Sequence, residues 1–187
     1  ENSIDFKKFR TIDIVQNTED FPEEIIAHSI RVHSVSRKED ENGYWSLDET
    51  KVCIFCAKQV LKQNENKLKH SLFMEEWHSA LPYGIQPNQT MLSGYFIGIY
   101  EKRVGENIWS IFEESKLSLN PKERFKTLFQ RKDEWNMEEI TPYLKTLIKN
   151  GYKVDKLLLR NARMVRNKDN DGNEHRTYIS RNAKRNR

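Results

Sequence analysis

Residues 120–147 read "NPKERFKTLFQRKDEWNMEEITPYLKTL", and the placement of helix starts and rings in this run decides the fold. Asn120 can accept a backbone N–H at a helix start, Pro121 suits the first helical position because its missing donor would be unpaired there anyway, and Glu123 can close a capping box. The spacing predicts a helix from Pro121 with Phe125, Leu128, Phe129 and Lys132 on one face and Lys122, Lys126 and Arg131 in water. Trp135 ends that apolar stripe. Asn136 with Glu139 repeats the capping signal, and Ile140, Tyr143, Leu144, Leu147 and Ile148 mark a second amphipathic helix stopping at Asn150-Gly151. The run is a compact helix pair held by large rings, each worth about 3–5 kcal/mol if buried.

Downstream, a third helix is expected over about 154–166. With Lys156 set at zero and about 100° per residue, Arg160 lies near 40°, Arg163 near 340° and Lys153 near 60°, whereas Val154, Leu158 and Val165 lie at about 160–200°. One face is apolar and the opposite one cationic. "NKDNDGNEHRTYISR" then offers a turn at residues 170–173 and an extended "HRTYIS", placing Arg176 and Arg181 on a β-hairpin. Three helices followed by a hairpin is the winged-helix form of the helix-turn-helix.

Upstream, "FRTIDIV" reads as a short strand and a helix runs from Pro22 to about Val35 with Ile25, Ile26 and Ile30 on one side. "SRKEDENG" reads as an exposed loop or hairpin tip and "YWSL" as extended. Ser46 and Glu49 form a capping-box pattern opening a helix with Val52, Phe55, Cys56, Gln59 and Val60 inward. "KQNENK" breaks the periodicity and sets an expected boundary near residue 66. A helix around "LKHSLFMEEWHSAL", buried through Leu72, Phe73, Met74 and Trp77, precedes a short one over about 88–94. "YFIGIYE" and "NIWSIFEE", separated by "KRVGE", read as a hairpin. The expected fold class is mainly α with small β-hairpins (α+β), in tandem winged-helix modules over 1–66 (incomplete at its start), 67–118 and 119–182, with a basic tail over 183–187.

Of the 187 residues, 36% are hydrophobic, 32% charged and 20 aromatic, which favours several small ring-built cores over one large one. No run approaches the roughly 18 apolar residues of a membrane span, and the start "ENSIDFKKF" lacks a signal-peptide apolar region, so a soluble, intracellular protein is expected. The initial Glu predicts a fragment or processed product. The net charge of +4 is uneven, because residues 151–187 hold 11 Lys and Arg against four acids. A +7 end on a −3 body predicts a polyanionic partner at the C-terminal end.

Catalytic signals are weak. Cys53 and Cys56 have C-x-x-C spacing, but they sit in an apolar helical stripe with no second pair, so they read as small buried side chains. His28 and His33 do not share a helix face well. Glu23-Glu24, Glu75-Glu76 and Glu138-Glu139 fall in first turns or on exposed faces. No phosphate loop, G-x-S-x-G or Cys-His arrangement occurs, and a metal-dependent nuclease using His78 with Glu75 or Glu76 is the best enzyme reading. The expectation is a non-enzyme with no cofactor and no metal.

"RF", "LF", "W", "I" and "PY" within 120–147, together with "LLLRNAR" and "YISR", resemble the C-terminal winged-helix region of the DCC (defective in sister chromatid cohesion) subunit family of the alternative clamp loader. "FPEEIIAHSI", "YWSLDETKVCIFCAKQVL", "FMEEWHSALPYGI" and "MLSGYF" fall in the family's order, so the resemblance covers about residues 20–182. It implies a nuclear, non-catalytic subunit whose first module binds the catalytic part of DNA polymerase epsilon and whose later modules bind DNA. It also implies other clamp-loader subunits as partners and, indirectly, the sliding clamp. The family's basic positions match Arg160, Arg163 and Arg181. The candidate DNA-binding set is Lys153, Lys156, Arg160, Arg163, Arg166, Arg176 and Arg181, mainly to the phosphate backbone because no Asn or Gln cluster accompanies it. Two readings stay open beside it: an interaction scaffold without direct DNA binding, and a sequence-specific regulator.

Overall fold

With so little apolar sequence to spend, each core is built on a few rings and short aliphatic stripes. The computed structural model describes residues 5–18, 20–36, 43–168 and 174–183. Phe9 bridges Trp45. Around this bridge lie α1 (Thr11–Val15), α2 (Glu23–His33) and the antiparallel pair β1 (Ser34–Ser36) and β2 (Trp45–Leu47). Phe9, Ile26 and Ile30 form the buried centre, with Ile14, Val15, Trp45 and Leu47 against it. The strand expected over 9–15 is therefore one bridge residue and a helix. Asp13 explains it, since its carboxylate accepts the Arg10 N–H at 2.9 Å and closes a helix start.

The next helix, α3 (Glu49–Gln63), is capped by Asp48, which accepts the Lys51 N–H at 3.1 Å. Ser46, the expected cap, is held in β2 opposite Val35. The buried face of α3 is Val52, Cys53, Ile54, Ala57, Val60 and Leu61, one step round from the expected stripe, and Phe55 is 45% exposed. Several of these residues share a core with Leu68, Phe73, Trp77, Leu92 and Phe96, so packing assigns α3 to the second unit and not to the first. The boundary expected near residue 66 is corrected accordingly. "KQNENK" breaks the helical period because it is a turn inside this unit: Glu65 and Asn66 take positive φ, and the Asn66 N–H returns to the Leu61 carbonyl at 2.7 Å.

That turn feeds β3 (Lys67–Lys69), α4 (His70–Ala80), a 3-10 turn at Gln89–Leu92, and the hairpin β4 (Phe96–Glu101) and β5 (Glu106–Ile111). The sheet order is β3-β5-β4. Phe73 stacks on Trp77 and Trp109 at 5.7 and 5.3 Å, while Leu72, expected inside, is exposed.

The third unit repeats this plan. It comprises α5 (Pro121–Arg131), β6 (Glu134–Asn136), α6 (Met137–Ile140), a 3-10 turn at Thr141–Leu144, α7 (Lys145–Lys149), α8 (Val154–Asn161), and the hairpin β7 (Ala162–Lys168) and β8 (Glu174–Ser180). Its order, β6-β8-β7, matches the second sheet position for position. The Asn120 and Asn136 caps form as the sequence predicts and Glu139 closes its capping box, but Glu123 does not close the one expected at Asn120 and instead accepts the Ser118 hydroxyl at 2.7 Å. Trp135 lies in β6, 1% exposed, edge-on to Tyr143 at 5.4 Å. Pro142 interrupts the second helix of the opening pair, because a proline inside a helix removes a donor and crowds the preceding turn. The fold class is α+β, as expected. The third helix, however, ends at Asn161 and not near 166. From Ala162 burial alternates with period two and seven residues pair along β8, a ladder that Val165 favours. The turn expected at 170–173, and 184–187 of the basic tail, lie outside the described residues. Among the described residues no helix is long and apolar enough to cross a membrane.

The second and third units are joined by buried contacts. Tyr143 donates its hydroxyl to the Phe96 carbonyl at 2.6 Å, and Ile97 belongs to the third core. Arg124 of α5 is 1% exposed. Its guanidinium pairs with Glu114 and donates to the carbonyls of Ser118 at 2.7 Å, Tyr143 at 2.7 Å and Leu117 at 3.0 Å. Glu114 also accepts the Thr146 N–H at 3.0 Å and its hydroxyl at 2.9 Å. Burial pushes the Glu114 carboxyl up, but the Arg124 and Thr146 bonds outweigh it and hold it below the ordinary glutamate range.

Arg124→Ala strands a carboxylate and three carbonyls, and its expected cost in urea denaturation at neutral pH is about 3–5 kcal/mol. Because the native pKa of Glu114 is lowered, its contribution is complete above the ordinary glutamate range and is lost as pH falls through the lowered value. The stability gap between wild type and Glu114→Gln should therefore be present at pH 7 and close on acidification.

Candidate nucleic-acid interface

The candidate cationic face is set by how α8 is held. Leu157 and Leu158 are buried and Val154 packs against the same core, so the helix turns Lys153, Lys156 and Arg160 outward. The outward face also carries Asp155 and Leu159, the latter 70% exposed.

Because the helix ends at Asn161, Arg163 and Arg166 stand on β7, and the helical angle assigned to Arg163 does not hold. Three positions apart on a strand, the two point to opposite faces. Arg166 lies directly opposite Arg176 of β8, and both are exposed. Arg163 is half-buried on the other face and donates to the Ala183 carbonyl at 3.3 Å. Arg181, just past β8, donates to the Leu159 carbonyl at 2.6 Å and the Ala162 carbonyl at 3.4 Å. It thus satisfies carbonyls at the C-terminal end of α8, where a cation also complements the helix dipole. The structure brings together Lys153, Lys156, Arg160 and Arg181, pairs Arg166 with Arg176 on the hairpin, and sets Arg163 apart.

None of the seven forms an ion pair with a described carboxylate. Two like-charge juxtapositions result: Lys156 and Arg160 at i,i+4 on a helix, and Arg166 across from Arg176 on a sheet. Each is mildly destabilising by itself.

Two further cations adjoin this set. Grooves of about 760 and 510 Å³ run along the α5–α8 side of the unit and share Lys122, Arg160 and Asn161. The first continues to Lys153 and Lys156, the second to Lys126 and Arg181. In the sequence, Lys122 and Lys126 read only as the wet face of a helix. Their i,i+4 spacing is visible there, but only packing lays α5 beside α8.

The other candidates lead elsewhere. Burial pushes both the Cys53 and Cys56 thiols up, which keeps them protonated and unreactive. Glu76 accepts the Asn64 amide at 2.8 Å. Among the described residues, no three His, Cys, Asp or Glu side chains converge as a metal site would require.

The family model for "Sister chromatid cohesion protein Dcc1" matches residues 1–144. The chain belongs to the Dcc1 family. Among curated members, it is similar to the "Probable sister chromatid cohesion protein DCC1" of Dictyostelium discoideum, at 33% identity over 165 residues, covering 77% of this chain and 44% of that one. It is also similar to the sister chromatid cohesion protein DCC1 of Saccharomyces cerevisiae (28% over 158 residues; 82% and 40%) and of Mus musculus (27% over 142 residues; 76% and 35%). The chain spans less than half the length of these Dcc1 relatives. The Dcc1 match runs up to residue 144, ahead of the cations of α8 and its hairpin.

Arg181 and Arg160 separate structure from surface. Arg181→Ala removes two bonds to the end of α8 and should lower the urea-denaturation stability by about 1 kcal/mol. Arg160→Ala, at an exposed side chain outside any described ion pair, should stay within about 0.5 kcal/mol of wild type.

Proposed function

We propose that this chain is the DNA-holding and partner-holding region of a non-catalytic clamp-loader subunit that acts in sister chromatid cohesion in the nucleus. Membership of the Dcc1 family, whose named members are cohesion proteins, supports the cohesion role. The observation that carries the DNA reading is the group of exposed α8 and hairpin cations without described carboxylate partners. A polyanion relieves the like-charge contacts that the fold leaves standing, and binding would release the counterions condensed on the DNA.

Contact would be to phosphates more than to bases. Asn161, the one amide side chain on α8, is tied back to its own helix by its bond to the Leu157 carbonyl at 2.8 Å and is not extended toward a base edge. This disfavours the sequence-specific regulator.

A different observation supports the protein partner. The first unit exposes Phe21, Ile25, Val32 and Val35 at 44–59% along α2 and the start of β1, which is far more apolar surface than a solvated helix needs. We assign this surface to DNA polymerase epsilon, the partner the family resemblance implies, and the remaining clamp-loader subunits to the rest of the longer protein.

Fluorescence anisotropy with mixed-sequence DNA tests the first part. Lys156→Ala/Arg160→Ala should weaken binding at least about tenfold at low salt and flatten the log–log salt slope by about 2, equally for unrelated sequences. Unchanged affinity would return the scaffold reading. Phe21→Asp/Ile25→Asp should abolish capture of the polymerase's catalytic portion while leaving DNA affinity intact.

A further inference from the structure

Six cations line the two joined α5–α8 grooves: Lys122 and Lys126 from α5, Lys153, Lys156 and Arg160 from the α8 side, and Arg181 beyond the hairpin. Among the described residues, no carboxylate lines either groove. The whole chain carries 32 basic and 28 acidic residues, so this segregation is not a reflection of composition. Grooves elsewhere do contain acids: Glu114 in one, Glu139 in another, Asp5 and Glu49 in a third.

Lys122 and Lys126 lie one turn apart on α5, as Lys156 and Arg160 do on α8, and neither lysine has a carboxylate partner among the described residues. Two like-charged rows thus border the same concavity. Tyr152, 44% exposed beside Lys153, lines the first of these grooves.

Resting on the DNA reading above, we infer that this trough is a track for one nucleic-acid strand, with Lys122 and Lys126 contacting phosphates across from Lys156 and Arg160, and Tyr152 stacking on an unpaired base. A cationic groove that tracks a backbone, with an aromatic ring at the level of the bases, is the arrangement by which single strands are held without sequence preference. A duplex is convex and would meet the rim of the trough and the Arg166–Arg176 pair, leaving the α5 lysines little used. Contact by Lys122 and Lys126 of α5 thus distinguishes this track from a recognition helix with its wing.

The test uses the full chain with a labelled mixed-sequence oligonucleotide, single-stranded or as duplex, from about 50 to 200 mM salt. Lys122→Gln/Lys126→Gln should weaken single-strand binding at least about tenfold and reduce the salt slope by about 1.4, since each phosphate contact on a single strand contributes about 0.7. Tyr152→Ala should weaken single-strand binding at least about fivefold, leave the slope unchanged and leave duplex binding unaltered. Both changes are at exposed side chains, and matching thermal unfolding midpoints confirm an intact fold. If wild type binds both forms and the α5 variant binds both as wild type does, while Arg166→Gln/Arg176→Gln loses affinity, the trough is overturned and the hairpin carries the contact. If wild type binds neither form, the DNA reading itself falls.

Discussion

A guanidinium taken fully out of water must have its donors answered, and that requirement at Arg124 fixes the geometry of the second half of the chain. Its partners come from three places: Glu114 just past the second hairpin, the carbonyls of Leu117 and Ser118 in the link, and the carbonyl of Tyr143 in the third unit. A buried ion pair is seldom a net gain over apolar packing, because the desolvation of both charges is large. What it supplies here is selectivity of arrangement. Few placements of the link satisfy the arginine and also let Glu114 meet both the amide and the hydroxyl of Thr146. The link is held, and with it the start of α5 at Pro121.

The consequence reaches the surface. The α5 cations can border the same groove as those of α8 only because α5 is anchored at its beginning by Arg124 and along its length by Phe125 and Leu128. The α8 cations in turn depend on Leu157 and Leu158, which fix the rotation of a helix only eight residues long. Stabilisation by burial thus sustains a charge arrangement that is unfavourable in isolation. Apolar burial of about 25 cal/mol per Å² readily exceeds the few tenths of a kcal/mol lost at each like-charge pair.

The parts of this design that local chemistry sets are legible in the sequence, and the parts set by long-range pairing are not. Asn120, Pro121, Asn136 and Glu139 act within four residues of themselves, and their helices start where those residues say. The 162–166 run reads as helix because Leu158 and Val165 are seven apart, which satisfies a helix nearly as well as Val165 satisfies a strand, and the deciding partner lies beyond a turn in β8. β3 and β6 escape a sequence reading for a related reason: three-residue strands are too short to show a period, and each exists because a hairpin strand pairs with it. Arg124 is invisible as a buried residue, since a long cation between Glu123 and Phe125 on an otherwise wet helix looks like any surface arginine. The candidate cations are all legible as residue types. Their grouping is not, because it needs the true end of α8.

Differences in core size leave the two ends of the chain with different surfaces. Among its described residues, the first unit buries Phe9, Ile26 and Ile30 at its centre and leaves Phe21, Ile25 and Val32 in water. The third unit buries twelve residues in a core that includes Ile97 from its neighbour, and its exterior is mainly charged. Between them, α3 connects to the first unit by the edge contact of Phe55 on His33 at 5.0 Å and the bond from the Asp48 N–H to the His33 carbonyl at 2.8 Å. An apolar surface at one end and a cationic trough lined by no described carboxylate at the other are incompatible as a single binding face, because a surface that matches one would leave the groups of the other desolvated and unsatisfied. Separate units keep the two surfaces apart, and the buried Arg124 keeps the cationic one in register with the unit before it.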